Sequence, residues 1–90
     1  MVDKIWLLTV NEVWDEEPSN QVDAFRDFDR AEEEFQRIVK EIKTAYEEAF
    51  EEDAKFDTYT VGDKITHECW KEDDYCAYNA TITLELITVK

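Results

Sequence analysis

A stripe of apolar residues between positions 24 and 49 constrains the fold of this chain more than any other feature. Its members recur at spacings of four and three residues, the period at which side chains share one face of an α-helix. A helix with such a stripe must bury it against another element of the same domain. The stripe consists of Ala24, Phe28, Ala31, Phe35, Ile38, Ile42, Ala45 and Ala49.

The start of this helix has two interpretations. A single helix over residues 20–52 would contain the whole stripe, although helices average about 11–12 residues. Asp29 and Glu32 also form a capping box, in which each side chain accepts a hydrogen bond from a free backbone amide. We therefore predict a short strand over residues 21–27, followed by a helix over residues 30–52. The predicted buried face is Ala31, Phe35, Ile38, Ile42, Ala45, Tyr46 and Ala49, with Phe50 near the helix end.

A strand pattern precedes this helix. Residues 4–14 alternate in two apolar sets, and both faces are apolar near the start, which indicates an inner strand or one whose second face meets another molecule. Residues 15–20 follow as a polar connection containing Pro18, through which we do not expect a strand to continue. One face of the strand carries Trp6, Leu8 and Val10, and the other carries Ile5, Leu7 and Val13.

The second half of the chain returns to strand patterns. Residues 56–61 form either a short strand or an extended loop before a turn at Gly62-Asp63. A strand over residues 64–70, an acidic turn at residues 72–74 and a strand over residues 75–89 follow. In this last strand one face carries Ala80, Ile82, Leu84 and Leu86, and the other carries Thr81, Thr83, Glu85 and Ile87.

These elements predict one acidic α+β domain over residues 1–90. Ninety residues can close a single hydrophobic core. Gly62 and Pro18 are the only glycine and proline, so regular elements joined by polar turns are expected. The predicted element order is β-β-α-β-β, which gives a four-stranded, mainly antiparallel sheet with one long helix packed on one face.

The order of these elements resembles that of a group of small acidic proteins. A short strand, Val22–Phe25, and an acidic helix start, Asp29–Phe35, are followed late in the chain by an acidic hairpin whose second strand alternates over Asn79–Leu86. This pattern is similar to that of the acidic proteins of unknown function carried by phages and conjugative elements of gut bacteria. The resemblance implies a compact α+β fold and an accessory role in a mobile element. It transfers no functional residues, because that family has none assigned.

Negative charge is the strongest compositional feature. The chain has 24 acids against 10 bases, a formal charge of −14, and the acids divide evenly between its two halves. Such a surface repels nucleic acid and anionic membranes, since binding either requires Lys and Arg to displace counterions. We therefore expect neither as a partner. The apolar run at residues 5–8 is too short for a signal peptide or a membrane span, which makes the cytoplasm the expected location.

Few residues are suited to chemistry. Ser19 and His67 are the only serine and the only histidine. His67 and Cys69 would project from the same face of a strand, but the neighbouring acids would raise the pKa of the thiol. A tight turn at residues 72–74 would also place Cys69 opposite Cys76, yet these three side chains fall short of the four ligands that structural zinc needs. We therefore predict no enzyme activity, no metal and no cofactor.

The functional hypothesis that fits these features is capture of a basic protein surface. Acids four apart on a helix rise by about 6 Å, comparable to two phosphate steps of roughly 3.4 Å, so the chain would act as a nucleic-acid mimic or as an inhibitor. The alternative is a structural or self-associating module with a solubilising surface, in which a leftover apolar sheet face is buried in a homodimer. The residues predicted to contact a basic partner are Asp15, Glu16, Glu17, Glu47, Glu48, Glu51, Glu52, Glu72, Asp73 and Asp74.

Overall fold

A computed structural model describes residues 3–89 of the chain and the side chains of residues 4–88. The elements in chain order are β1 (Asp3–Trp14), β2 (Glu17–Phe25), α1 (Phe28–Phe50), a 3₁₀ turn (Glu51–Asp53), β3 (Ala54–Val61), β4 (Lys64–Lys71) and β5 (Tyr78–Val89). The strands form one antiparallel sheet in the order β2-β1-β5-β4-β3, and α1 packs across one of its faces. The predicted α+β architecture, with one long helix on an antiparallel sheet, is confirmed.

The sheet has five strands, so the prediction of four is wrong. Residues 56–61, which the sequence left open between strand and loop, belong to β3, and β3 pairs with β4 along its whole length. A two-residue turn at Gly62-Asp63 joins these strands, and Gly62 adopts the positive φ, 58°, that such a turn favours. The pairing supplies partners for backbone groups of β4 that would otherwise lie unbonded beside the core.

The first hairpin is tighter than the sequence predicts. Only Asp15 and Glu16 form the turn, with φ values of 53° and 68°, and a two-residue type I′ turn requires positive φ at both positions. Residues 17–20 continue β2 and are not a polar connection. Pro18 is tolerated because β2 is an edge strand, where a missing backbone N–H removes no hydrogen bond of the sheet. β1 lies between β2 and β5, so its prediction as an inner strand is confirmed.

Helix α1 starts earlier than predicted. Asp27, which has an extended conformation, caps the helix by accepting a hydrogen bond from the backbone N–H of Asp29 at 2.9 Å. The predicted capping box between Asp29 and Glu32 is therefore wrong. β2 ends at Phe25, just before the cap, which also excludes a single helix over residues 20–52.

The core lies between α1 and one face of the sheet. The predicted alternation of the last strand is confirmed, since Ile82 and Leu84 are completely buried under the helix. Leu8 of β1 packs in the same cluster, and a second cluster forms around Tyr46 and Cys69 nearer the helix C-terminus. Burying each large apolar side chain contributes roughly 1.5–3 kcal/mol, so these two clusters fix the helix on the sheet.

The second half of α1 turns a different face toward the sheet than predicted. Ala45 and Ala49 are exposed, whereas Tyr46 is completely buried. Ile42, Tyr46 and Phe50 contact the second core cluster at a spacing of four residues. Each alanine precedes one of these residues and so points about 100° away from it. The inward stripe therefore ends in aromatic rings instead of small residues.

Removing the Asp27 cap should destabilise the fold more than removing Asp29. We expect Asp27→Ala to lower the free energy of unfolding by about 0.5–2 kcal/mol, the usual cost of losing an N-cap side chain. Asp29→Ala removes only a first-turn charge, which interacts with the helix dipole by about 0.3–1 kcal/mol. Urea denaturation followed by circular dichroism measures both variants. A larger loss in Asp29→Ala would contradict the assignment of Asp27 as the cap.

Candidate functional site

The sheet topology brings three connections of the chain to one end of the molecule. Trp14, at the end of β1, pairs with Tyr78, at the start of β5. Lys71, at the end of β4, pairs with Ala54, at the start of β3, which the 3₁₀ turn joins directly to α1. The turn after β1, the turn after β4 and the 3₁₀ turn after α1 therefore share one end. The molecule measures 48 by 21 by 19 Å, so this end lies far from the opposite one.

We call this end the acidic end and define it as residues 15–17, 47–55 and 71–74. It contains eleven carboxylates and two lysines, a formal charge of −9 out of −14 for the whole chain. All ten residues predicted to contact a basic partner lie here, and Asp53 is the one further acid that sequence reasoning missed. Of the ten, Asp74 is half-buried and the others are exposed. Those others are Asp15, Glu16, Glu17, Glu47, Glu48, Glu51, Glu52, Glu72 and Asp73.

The opposite end of the molecule has no excess of charge. Its segments, residues 3–5, 25–30 and 62–65, contain four acids and four bases. Negative charge is therefore polarised along the long axis, although it is divided evenly along the sequence. A field with a direction steers and orients a charged partner, which a uniformly acidic surface does less well.

Two lysines lie within the acidic end and reduce its charge only in part. The Nζ atom of Lys55 lies 3.6 Å from Oε2 of Glu72, and both side chains are substantially exposed. The Nζ atom of Lys71 lies 5.8 Å from the ring centroid of Phe50. Two lysines among eleven carboxylates leave the acidic end with a formal charge of −9, and an exposed ion pair of this kind contributes only about 0.2–1 kcal/mol to stability.

Backbone hydrogen bonds join the three connections to each other. The N–H of Glu16 donates to the C=O of Ala77 at 3.1 Å, which links the first turn to the turn after β4. The N–H of Glu72 donates to the C=O of Asp53 at 2.8 Å, which links that same turn to the 3₁₀ turn. Within the turn after β4, the C=O of Asp74 accepts the N–H of Ala77 at 3.2 Å. The carboxylates are thus carried by turns that are fixed relative to one another.

An aromatic cluster lies under these turns. The ring centroids of Trp14, Phe50 and Tyr78 are separated by 5.4, 5.3 and 4.8 Å, and the buried ring of Tyr46 meets Trp14 edge-on at 5.4 Å. Such pairs add about 0.5–1.5 kcal/mol each beyond their burial. The hydroxyl of Tyr78 also donates to Oδ1 of Asp15 at 3.4 Å. The cluster therefore packs beneath turns that backbone hydrogen bonds already join to each other.

Several carboxylates of the acidic end occupy positions that disfavour them locally. Glu47 and Glu48 lie in the last turn of α1, where the helix dipole favours cations and where this helix has no basic residue. Asp15, Glu16 and Glu51 have φ values of 53°, 68° and 50°, a region that glycine favours, and within residues 3–89 they are the only non-glycine residues with positive φ. Strained positions of this kind cluster at functional sites. Asp is common at the first position of a type I′ turn, but local folding preferences give no reason for glutamate at the other four positions.

The two cysteines lie in different surroundings and do not pair with each other. Cys69 is only 1% exposed and pairs with Ala80, not with Cys76. The prediction that a tight turn places the two cysteines opposite each other is wrong, because the turn extends over residues 72–77 and β5 begins only at Tyr78. Cys76 lies exposed in that turn. Within the described part of the chain, no three or more His, Cys, Asp or Glu side chains are placed to hold a metal ion.

Burial controls the protonation of Cys69 and His67, which both point toward the helix. It raises the pKa of the Cys69 thiol to about 12, so the thiol is protonated at neutral pH and is a weak nucleophile. Burial and the positive charge of Lys43 lower the pKa of His67, against an opposing effect of Asp57. The Nδ1 atom of His67 lies 2.6 Å from Oγ1 of Thr58. These contacts are those of a residue packed in the core.

Comparisons with known proteins give no relative from which a function could be transferred. No protein family, curated protein or solved structure matches this chain. Among residues 3–89, the helix is too polar to cross a lipid bilayer. Function is therefore inferred from the charges and geometry of the chain itself, and an origin in a mobile element stays a prediction.

The two cysteines should differ in reactivity. At neutral pH we expect a thiol reagent such as dithionitrobenzoate to label Cys76 quickly in the native protein and to label Cys69 only on unfolding, because Cys69 is buried and its pKa is about 12. The released chromophore measures the number of labelled thiols in each state. In the control variant Cys76→Ala, the native protein should show no fast reaction. Rapid labelling of that variant would contradict the packing around Cys69.

Protonation of His67 should oppose folding. Its pKa in the folded protein lies below the ordinary value of 6.5, so the unfolded chain binds this proton more readily. The free energy of unfolding should therefore fall as the pH decreases through about 6.5 toward the folded pKa. Denaturation with urea at several pH values measures this slope, and His67→Gln should remove the part that belongs to His67. An unchanged slope in His67→Gln would contradict the assignment.

Proposed function

We propose that this protein is a non-enzymatic binding protein whose acidic end captures a basic surface of another protein. The observation that carries the proposal is the gathering of eleven carboxylates at one end of an elongated domain whose other end is neutral. Solubility would be served equally well by scattered acids. Charge concentrated at one end instead favours oriented encounter with a surface of opposite sign.

The local cost of these acids supports a binding role. Glycine would relieve the positive φ of Glu16 and Glu51, and a basic residue would suit the last turn of α1 better than Glu48. Where a chain departs from such local preferences without a gain in packing, a functional reason is the usual one. A basic partner supplies that reason, because its Lys and Arg side chains would remove the repulsion between the carboxylates.

The rigidity of the acidic end favours tight capture of a partner. Association loses affinity when flexible side chains and loops must be ordered at the interface, at about 0.5–1.5 kcal/mol for each immobilised side chain. Here the turns are already joined by the bonds from Glu16 to Ala77 and from Glu72 to Asp53. Little of the backbone therefore needs to be ordered when a partner binds.

Nucleic-acid mimicry is the finer part of the proposal. Clustered carboxylates present negative charge to a basic groove, as phosphates do, and a protein that occupies such a groove would inhibit nucleic-acid binding there. Of the predicted contact residues Glu47, Glu48, Glu51 and Glu52, which the predicted helix over residues 30–52 would have carried, only the first two lie in α1, because Glu51 and Glu52 lie in the 3₁₀ turn after it. The mimicry would therefore reproduce the charge density of a nucleic acid more closely than its phosphate spacing. A host nuclease or defence protein would be a suitable target if the chain belongs to a mobile element.

A self-associating module is the second candidate function. The observation that favours it is the open edge of β2, where almost every residue is exposed and the side chain of Val22 is 58% exposed. The two functions are compatible, because the edge of β2 and the acidic end are different surfaces.

The binding role of the acidic end can be tested with two double variants, each of which removes two negative charges from the chain. Glu48→Gln with Glu52→Gln removes two charges from the acidic end, and the control Glu32→Gln with Glu33→Gln removes two exposed charges from the other half of α1. We expect the first variant to bind a basic partner roughly 2- to 30-fold more weakly, from about 0.2–1 kcal/mol for each exposed ion pair. The control should bind like the wild type.

The partner is sought by affinity capture from a bacterial lysate, with duplex DNA as competitor. Captured proteins should be basic, should be released by DNA and by salt, and should lose nucleic-acid binding when this protein is added. An equal loss of capture in the two variants would show that the acidic end has no special role. Recovery of no basic protein would reject the proposed function as a whole.

A further inference from the structure

The register of the first hairpin determines which backbone groups of β2 point outward. In a two-residue hairpin the residues that flank the turn, here Trp14 and Glu17, exchange both of their backbone hydrogen bonds. Every second residue of β2 from Glu17 onward therefore bonds to β1. The residues between them direct their backbone groups away from the sheet. These outward residues are Pro18, Asn20, Val22 and Ala24.

β3 forms the opposite edge of the sheet, and it is protected against pairing with a further strand in a way that β2 is not. By the same reasoning, the turn at Gly62-Asp63 directs the backbone groups of Thr58 and Thr60 of β3 outward. The outward N–H of Thr58 donates to Oδ1 of Asp57 at 3.0 Å, which closes the middle of that edge. Within residues 17–25, no side chain accepts an outward backbone N–H in this way.

β2 is complementary to a second copy of itself. When two β2 strands pair antiparallel with Gln21 opposite Gln21, Asp23 lies opposite Ser19 and Glu17 lies opposite Phe25. No carboxylate then lies directly opposite another, the arrangement that would destabilise the pair most, and Glu17 of one copy is a diagonal neighbour of Asp23 of the other. The nine residues of each strand are matched along their whole length.

The outward backbone N–H and C=O groups of the two β2 strands also lie opposite suitable hydrogen-bond partners in this register. Asn20 lies opposite Val22 of the second copy, and each such pair exchanges two hydrogen bonds. Ala24 lies opposite Pro18, where the N–H of Ala24 donates to the C=O of Pro18 and the missing N–H of proline leaves no donor unpaired. The two strands would form about six hydrogen bonds in total.

We propose that two copies of this protein associate through β2 to form one continuous ten-stranded antiparallel sheet. The two-fold axis would pass between the two Gln21 residues, perpendicular to the sheet, so that both α1 helices cover the same face. Because β2 runs antiparallel to its copy, the two acidic ends would lie at opposite ends of the dimer. Each copy has a formal charge of −14, and this arrangement keeps the two strongest concentrations of charge apart.

The dimer is tested first by sedimentation equilibrium over a series of protein concentrations. We expect the apparent mass to rise from the 10.7 kDa of one chain toward twice that value. Val22→Pro removes an outward N–H from the centre of the pairing and should shift the protein to the monomer. Thr60→Pro removes an outward N–H from the other edge and should leave the dimer unchanged. Circular dichroism shows whether each variant is folded.

The register is tested by cross-linking, which also covers the case in which Val22→Pro fails to fold. In a Cys76→Ala background, Gln21→Cys places two thiols opposite each other at a Cα separation of about 4.5 Å, within reach of a disulfide. Asp23→Cys points to the same face of the sheet but lies roughly 13 Å from its own copy, at about 3.4 Å per residue. Under mild oxidation, Gln21→Cys should form a covalent dimer quickly, and Asp23→Cys should not.

Ionic strength should have opposite effects on dimer formation and on capture of a basic partner. Dimer formation does not depend on the proposed binding function. Screening of the repulsion between two acidic copies should strengthen the dimer as the ionic strength rises, whereas capture of a basic partner should weaken. A single-chain mass at every concentration and salt level would overturn the inference. So would an unchanged dimer in folded Val22→Pro, loss of the dimer in Thr60→Pro, or equal cross-linking of Gln21→Cys and Asp23→Cys.

Discussion

The pairing of β1 with β5 is the interaction on which the rest of the structure depends. The two strands pair along their whole lengths, and Leu8, Ile82 and Leu84 near their centre are almost completely buried in the core. Because these strands come from opposite ends of the described chain, the pairing closes a long loop, and packing must offset the entropy that this closure costs. β2 then pairs with the outer side of β1, and the hairpin of β4 and β3 pairs with β5. Helix α1 must in consequence cross from one edge of the sheet to the other.

That crossing creates the acidic end. The register that places Trp14 opposite Tyr78 also places the turn after β1 beside the turn after β4, and the end of α1 delivers the 3₁₀ turn to the same place. Three acidic segments that are far apart in sequence thus become neighbours. Their mutual repulsion opposes folding, and the aromatic cluster of Trp14, Tyr46, Phe50 and Tyr78 lies where it can offset that cost. The fold therefore places part of its strongest aromatic packing directly under its strongest charge repulsion.

The sequence predicts the long helix and the alternation of β5 because each is a strong periodic pattern. It fails where two local signals compete. Residues 17–20 look like a loop because of Pro18, although an edge strand tolerates proline, and Asp29 resembles a cap as well as Asp27 does. The ten acids of the candidate site were identified individually from their runs, but their assembly at one end depends on strand register, which no local pattern contains. The aromatic residues beside these runs, such as Trp14 before Asp15, are a signal in the sequence that could have indicated a shared support for the acidic turns.

The two proposals for this chain are linked through charge. A dimer joined through β2 would hold two acidic ends at opposite ends of one rigid sheet, so a partner with two basic surfaces at a matching distance would bind with the gain of an intramolecular second contact. Each basic surface that binds would also neutralise part of the charge that drives the two copies apart. Binding at the acidic ends would then strengthen association through β2, and by thermodynamic linkage association would strengthen binding by the same factor. The open edge of β2 and the excess of acids are on this view parts of one arrangement, because the repulsion that weakens association between free copies is relieved by the partner they bind.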